Sequence, residues 1–337
     1  MSKFLFLFLI GVMACTAKQP ESTLPAKAVA NIIFDTDIAG DYDDVGAMAL
    51  LHAFADKGEI EILATISCNA FETTVPTMSV LNTYFGRPDI ATSITKRENP
   101  NMSCAQKWAE AIVEKYPHAL KSNSEAKEAV SLYREILSSK PDQSVTLVTV
   151  GFFTNLADLL NSEPDAFSIL NGKELIKKKV KLLISMAASL PEGKQQGNEY
   201  NVRVDTKASQ YVFNEWNTPI ILTPLEVGIK IFTGIPLIND STIENSPVKD
   251  AYTVALAADK NKIGRMSWDQ TAVLVAARGI EPYFTSRKVN FKINDDGSNN
   301  LIPGEKFSLL GFKQTPEEIQ KLLEGLMGHQ PILNKDL

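Results

Sequence analysis

From residue 31 onward, short apolar runs rich in β-branched residues alternate with stretches whose apolar residues recur every three or four positions. "NIIFDT" predicts a strand, and "DDVGAMALLHAFADKG" has helix spacing with an acidic start and a glycine near its end. "IEILATIS" predicts the next strand, and "VPTMSVLNTYFG" a second helix closing on Gly86. The pattern repeats as strand "DQSVTLVTV" with helix "FFTNLADLLNS", then strand "KKVKLLISMA" with helix "DTKASQYVFNEW", capped by Asp205. "TPIILTPL" supplies one more strand, and "SEAKEAVSLYREILSS" reads as an amphipathic helix packed on the sheet. Such alternation predicts an α/β fold, a single domain with a mainly parallel, Rossmann-like central sheet flanked by helices. After residue 280, "KVNFKINDDGSNNLI" adds a small antiparallel hairpin with an Asp-Gly turn.

The N-terminus departs from this pattern. In "MSKFLFLFLIGVMAC", Lys3 and the apolar run Phe4 to Ala14 make a secretory signal too short to span a bilayer. Its "VMAC" end resembles the lipobox of bacterial lipoproteins, which implies cleavage after residue 14 and a lipid on Cys15. Residues 15–29, with two prolines, then form a tether, and residues 30–337 form the folded domain. The expectation is an exported lipoprotein of the cell envelope, touching the membrane through its anchor only. Cys68 and Cys104 lie in the folded part, and their spacing does not say whether they pair. With 44% hydrophobic residues the chain has ample core, and a formal charge of −6 without a long basic run argues against nucleic acid or anionic lipid as partners.

The stretch "DTDIAGDYDD" places Asp35, Asp37, Asp41, Asp43 and Asp44 within ten residues directly behind the first strand. Carboxylates this close repel one another unless a cation sits among them. A calcium loop of the EF-hand type fails, because its twelfth residue is Gly46 and its fifth is Ala39. An aspartate-nucleophile phosphotransferase fits Asp35 and Asp37 but has Ala39 where a threonine belongs, and leaves the Asp43–Asp44 pair without a role.

Five segments in order carry a third reading. "DTDIAGDYDD", "ATISCN", "LVTVGFFTNLADLL", "GNEYNVRVDTKAS" and "MSWDQTAVL" resemble the signature segments of the inosine-uridine nucleoside hydrolase family, with two extra residues between the aspartates. The resemblance implies a Ca²⁺ ion held by Asp37, Asp44, Asp269 and the Val150 carbonyl, with Asp37 as general base toward an ion-bound water. It implies ribose contacts from Asp43, Asn69, Asn198, Glu199 and Asn201, and by analogy a homo-oligomer. Asp35 is expected to brace the loop through backbone hydrogen bonds, and Asp41, in the insertion, has no assigned role. In this family a histidine before the last metal aspartate often protonates the leaving base; here that residue is Trp268, which stacks on a base but does not give up a proton at neutral pH. The expected activity is therefore hydrolysis of ribonucleosides, purine nucleosides first, with a non-catalytic nucleoside-binding lipoprotein and the phosphotransferase as alternatives. Phe152, Phe153 and His52 read as core residues, and Trp108 reads equally as core or as a ring that stacks on the base; His118 and His329 have no assigned chemistry, and Glu226 in "LEVG" reads as structural.

Overall fold

Along the first strand of the computed structural model, Ile32 and Phe34 enter the core on one face of the sheet and Ile33 enters it on the other. A strand buried on both faces has to be apolar throughout, which is why "NIIF" carries no alternation of polar residues. The structure describes residues 29–191 and 196–332, so the expected signal segment, Cys15 and nearly all of the tether lie outside the described residues.

The strands are β1 (Ala30–Thr36), β2 (Ile60–Ser67), β3 (Ala91–Ile94), β4 (Lys127–Glu128), β5 (Val145–Thr149) and β6 (Val180–Met186), followed by β7 (Gly197–Asn198) and β8 (Ile220–Thr223). The chain continues with β9 (Phe232–Thr233), β10 (Arg265–Met266), β11 (Phe284–Ile293) and β12 (Ser298–Phe312). The main sheet runs in the order β11-β12-β8-β6-β5-β1-β2-β3-β4. From β4 to β12 every neighbouring pair is parallel, and β11 closes the edge antiparallel to β12. The expected hairpin is thus present and continues the main sheet, with Gly297 at positive φ in its turn. A separate antiparallel pair, β9 with β10, was not foreseen, because two-residue strands leave no periodic trace.

The helices cover both faces. Asp43–Asp56 is buried almost all round, because the helices Trp268–Arg278 and Pro316–Met327 pack over it. The opposite face takes Ala129–Ser139, Thr154–Leu160, Gly172–Lys179 and Thr206–Glu215. The helix expected from Ser124 starts later, at Ala129, because the Glu128 carboxylate accepts from the Val130 and Ser131 amides and caps it there. Asp205 caps its helix as expected, accepting from Ala208 N at 3.2 Å. Cys68 and Cys104 are buried unpaired thiols. Phe152, Phe153 and Trp108 are core residues, and His52 is buried with Nε2 3.0 Å from Asn82 Oδ1.

Beneath this second layer, the buried Arg134 guanidinium bonds both carboxylate oxygens of Asp165, Ser162 Oγ and the carbonyls of Ser168 and Leu170. Those bonds hold the irregular segment between the helices Thr154–Leu160 and Gly172–Lys179. Arg134→Leu keeps bulk but strips these acceptors of their donor, and is expected to cost about 3 kcal/mol in urea unfolding.

Candidate active site

The order of strands in the sheet turns at β1 and β5, which lie side by side while the chain winds outward from them in opposite directions. At such a switch point the loops leaving two adjacent strands part and open a crevice beyond their carboxyl ends. Asp37 directly follows β1 and Val150 directly follows β5, and both line a cavity of ≈ 380 Å³. The loop between Thr36 and Asp43 is tightly folded. Thr36 Oγ1 accepts from Ile38 N, the hydroxyl donates to Asp44 Oδ1, and Ala39 sits at φ 76°.

Two glycines let the walls close on the site. A Cβ on Gly151 would stand 2.5 Å from Asp37 N and 2.8 Å from Asp37 Cβ. One on Gly228 would stand 2.3 Å from Trp268 Cδ1, so the "LEVG" turn is the seat of that indole. Trp268 Nε1 donates to the Leu225 carbonyl at 3.1 Å and leaves the ring as a half-buried wall of the cavity.

Carboxylate oxygens of Asp43, Asp44 and Asp269 lie within 4.8 Å of one another, and all three residues are buried. Burial, then repulsion from Asp44 and Asp43, holds the Asp37 carboxyl well above the usual range. Asp43 and Asp269 are raised for the same two reasons, and burial pushes Asp44 up to about 7. Asp44 Oδ2 is buried with no hydrogen-bond partner, a costly state for an anionic oxygen unless a cation meets it. The donor set is all oxygen and carries several negative charges, which suits a hard divalent ion. The residues present therefore fit such an ion, with Asp43, Asp44 and Asp269 as the tightest group and Asp37 beside it. The Val150 carbonyl accepts from Asn201 Nδ2 at 2.8 Å and keeps a second lone pair.

The other expected site residues divide. Glu199 and Asn201 line the cavity, but the Glu199 carboxylate also caps the short helix Tyr200–Val204, accepting from the Asn201, Val202 and Ala188 amides. Burial pushes it up to about 7 against those bonds. Asp43 lines the cavity as well, with Oδ2 accepting from Trp268 N at 3.2 Å and Asp269 N at 3.4 Å. Asn69 does not reach the cavity: its amide donates to the carbonyls of Asp37, Ile38 and Met102 and its oxygen accepts from Phe71 and Met102. Those bonds tie the acidic loop to the segment at Met102. Asn198 is exposed and lies in β7, paired with Ser298 of β12. Asp35 is a brace as expected, but through side chains: Oδ2 accepts from Tyr133 Oη at 2.7 Å and Asn155 Nδ2 at 2.9 Å.

Sequence reasoning missed Arg265. Its guanidinium pairs with Asp41, which gives the insertion residue its partner, and Nε lies 3.6 Å from Asp43 Oδ1. It lines the cavity, and burial lowers it to about 10, so it stays cationic at neutral pH. The available signal was charge balance, since five clustered aspartates call for a cation somewhere in the fold.

Two outcomes test this geometry. Gly151→Ala pushes Asp37 off its place and is expected to weaken divalent-ion binding at least about tenfold by titration calorimetry, with unchanged circular dichroism. A divalent ion, tried as Ca²⁺, is expected to raise the Tm of chelator-treated protein, with a rise that grows with pH between about 4 and about 7. The sign follows from the raised folded pKa of Asp44. Ion-free protein holds its proton where the unfolded chain has lost it, so ion-free stability falls as pH rises through this window. The ion binds the deprotonated form and removes that loss.

Comparison with known proteins gives the same frame. The family model described as inosine-uridine preferring nucleoside hydrolase matches residues 32–301. A protein of that name from Leishmania major is 30% identical over 108 residues, which spans 32% of this chain and 31% of that protein. The crystal structure of the inosine-uridine preferring nucleoside hydrolase from Bacillus anthracis superposes with a TM-score of 0.68 at 16% identity, covering 89% of this chain and 99% of that one. A purine-preferring ribonucleoside hydrolase from Gardnerella vaginalis gives a TM-score of 0.66 at 15% identity over 88% of this chain and 99% of its own. At these identities the structures speak for the fold, and the family match over most of the chain speaks for the lineage. The chain belongs to the inosine-uridine preferring nucleoside hydrolase family.

Proposed function

We propose that the protein hydrolyses the N-glycosidic bond of ribonucleosides, purine nucleosides first, to the free base and ribose. The observation that carries this reading is the buried group Asp37, Asp43, Asp44 and Asp269 at the floor of a cavity walled by Trp268 and Tyr200. A sugar that turns into an oxocarbenium-like cation is stabilised by surrounding carboxylates, and a flat base is matched by aromatic walls. A divalent ion, Ca²⁺ in this proposal, supplies when bound the positive charge that keeps these carboxylates ionised and polarises water.

Asp37 takes the proton of the attacking water as its oxygen bonds to the anomeric carbon. The bonding pair of the C–N bond leaves with the base, which then gains a proton from solvent. Stacking on Trp268 raises the basicity of a purine and favours that protonation. The described histidines do not line the cavity: His52 meets Asn82, His118 the Tyr116 carbonyl and His329 Asp56. Glu199 and Asn201 hold the wall opposite the acidic loop, where the sugar edge would lie.

The test is incubation of protein lacking residues 1–15 with Ca²⁺ and a nucleoside panel, followed by chromatography for free base. Asp37→Ala is expected to lower kcat by at least about a thousandfold at unchanged fold, and chelation to do likewise. Tight nucleoside binding with no base released from any member would sink the hydrolase reading in favour of a binding protein. The leader sequence supports a further part of the proposal, that the enzyme works from a lipid anchor at the cell envelope. Cys15→Ala is expected to move the protein from the membrane to the soluble fraction.

A further inference from the structure

Arg265 is held on four sides. Its guanidinium carbon lies 5.1 Å from the centre of the Tyr42 ring and 4.9 Å from that of Trp268. Asp41 pairs with Nη2, and Asp43 Oδ1 stands 3.6 Å from Nε, which makes no hydrogen bond. The backbone is fixed by pairing of β10 with β9, where Arg265 faces Thr233. Two rings and two carboxylates thus hold a fork of five N–H donors at the cavity wall, and among the described residues Asp41 is the one carboxylate that accepts a hydrogen bond from it. A side chain kept only to neutralise Asp41 would have no need of a place in the cavity lining beside the indole.

We infer that Arg265 binds the departing base, donating to a carbonyl oxygen or ring nitrogen on its edge and stabilising the negative charge that gathers there as the C–N bond breaks. This rests on the hydrolase reading above and adds the group that serves the leaving base. The bond that breaks is the glycosidic C–N bond, and its electron pair goes to the base nitrogen. The bond that forms joins water oxygen to the anomeric carbon, with one proton going to Asp37 and one from solvent to the base. Arg265 gives up no proton and acts by hydrogen bonding and charge alone. A fork that only donates meets an acceptor in a 6-oxopurine and a second donor in a 6-aminopurine. Inosine and guanosine are therefore favoured over adenosine through this residue.

The experiment compares kcat/KM for inosine, adenosine and p-nitrophenyl β-D-riboside, whose phenolate leaves without help from a base-binding group. It uses wild-type protein, R265Q and R265K, each loaded with Ca²⁺. R265Q is expected to lower the ratio of inosine to p-nitrophenyl riboside turnover by about 30-fold and to shrink the preference for inosine over adenosine. R265K keeps the charge but loses the fork, and lowers the same ratio by about fivefold. It serves as the readout if R265Q does not fold. Equal losses on all three substrates would overturn the inference and reduce Arg265 to a brace for Asp43, and so would no loss on any. A wild-type protein that cleaves none of the three strikes the hydrolase reading itself, whereas changes confined to the variants judge Arg265 alone.

Discussion

Burying four carboxylates against one another is the constraint around which the molecule is organised. Asp37, Asp43, Asp44 and Asp269 come from the loop behind β1, the first turn of the helix Asp43–Asp56 and the first turn of the helix Trp268–Arg278. Apolar surroundings raise the cost of each charge, and each neighbour raises it again. The arrangement persists because part of the charge is met by fixed partners: the Trp268 and Asp269 amides on Asp43, the Thr36 hydroxyl on Asp44, and Arg265 between Asp41 and Asp43. What these partners leave over, including the bare Asp44 oxygen, is a site for a divalent cation.

The sheet supplies the stiffness that such a cluster needs. Parallel pairing of β1 with β2 and β5 sets the two strand ends from which Asp37 and Val150 emerge, and Val150 N donates to the Asp35 carbonyl at 2.9 Å to lock them together. Behind them Asp35 receives Tyr133 and Asn155 from helices on the far face of the sheet, while Asn69 ties the acidic loop to the segment at Met102. Buried polar residues are thus spent on holding others still, which is how a site keeps its geometry to a fraction of an ångström.

The sheet was legible because strands buried on both faces have to be apolar, so Ile32, Ile33 and Phe34 announce β1 without any partner in view. The acidic loop was legible because such crowding is too costly to be accidental. Asn69 reads two ways in the sequence because a carboxamide satisfies a sugar and a backbone equally well. The fold of the segment ending at Met102, which meets both its donor and acceptor sides, shows the backbone role, and no periodic trace announces it. The place of Asn198 was hidden because its register is set by pairing with β12, a strand about a hundred residues away. Arg265 stayed out of sight because its partner Asp41 is 224 positions distant and β10 is too short to show a period.

The replacement of a histidine by Trp268 changes meaning once Arg265 stands beside it. A lone indole offers a face to stack on and no group to answer charge on the departing base. The guanidinium carbon lies over the indole ring, 4.9 Å from its centre, so a cation and an aromatic side chain stand together at the cavity wall. The two-residue insertion then has a physical purpose. It brings Asp41 to the far side of the guanidinium, so that the fork is held by a carboxylate outside the metal group while Asp43 stays with Asp44 and Asp269. Without that outer partner the arginine would be drawn onto Asp43 and would compete with the cation for it. In the proposed reaction the loop thus keeps the guanidinium, paired with Asp41, apart from the carboxylates Asp43, Asp44 and Asp269 that would hold the cation.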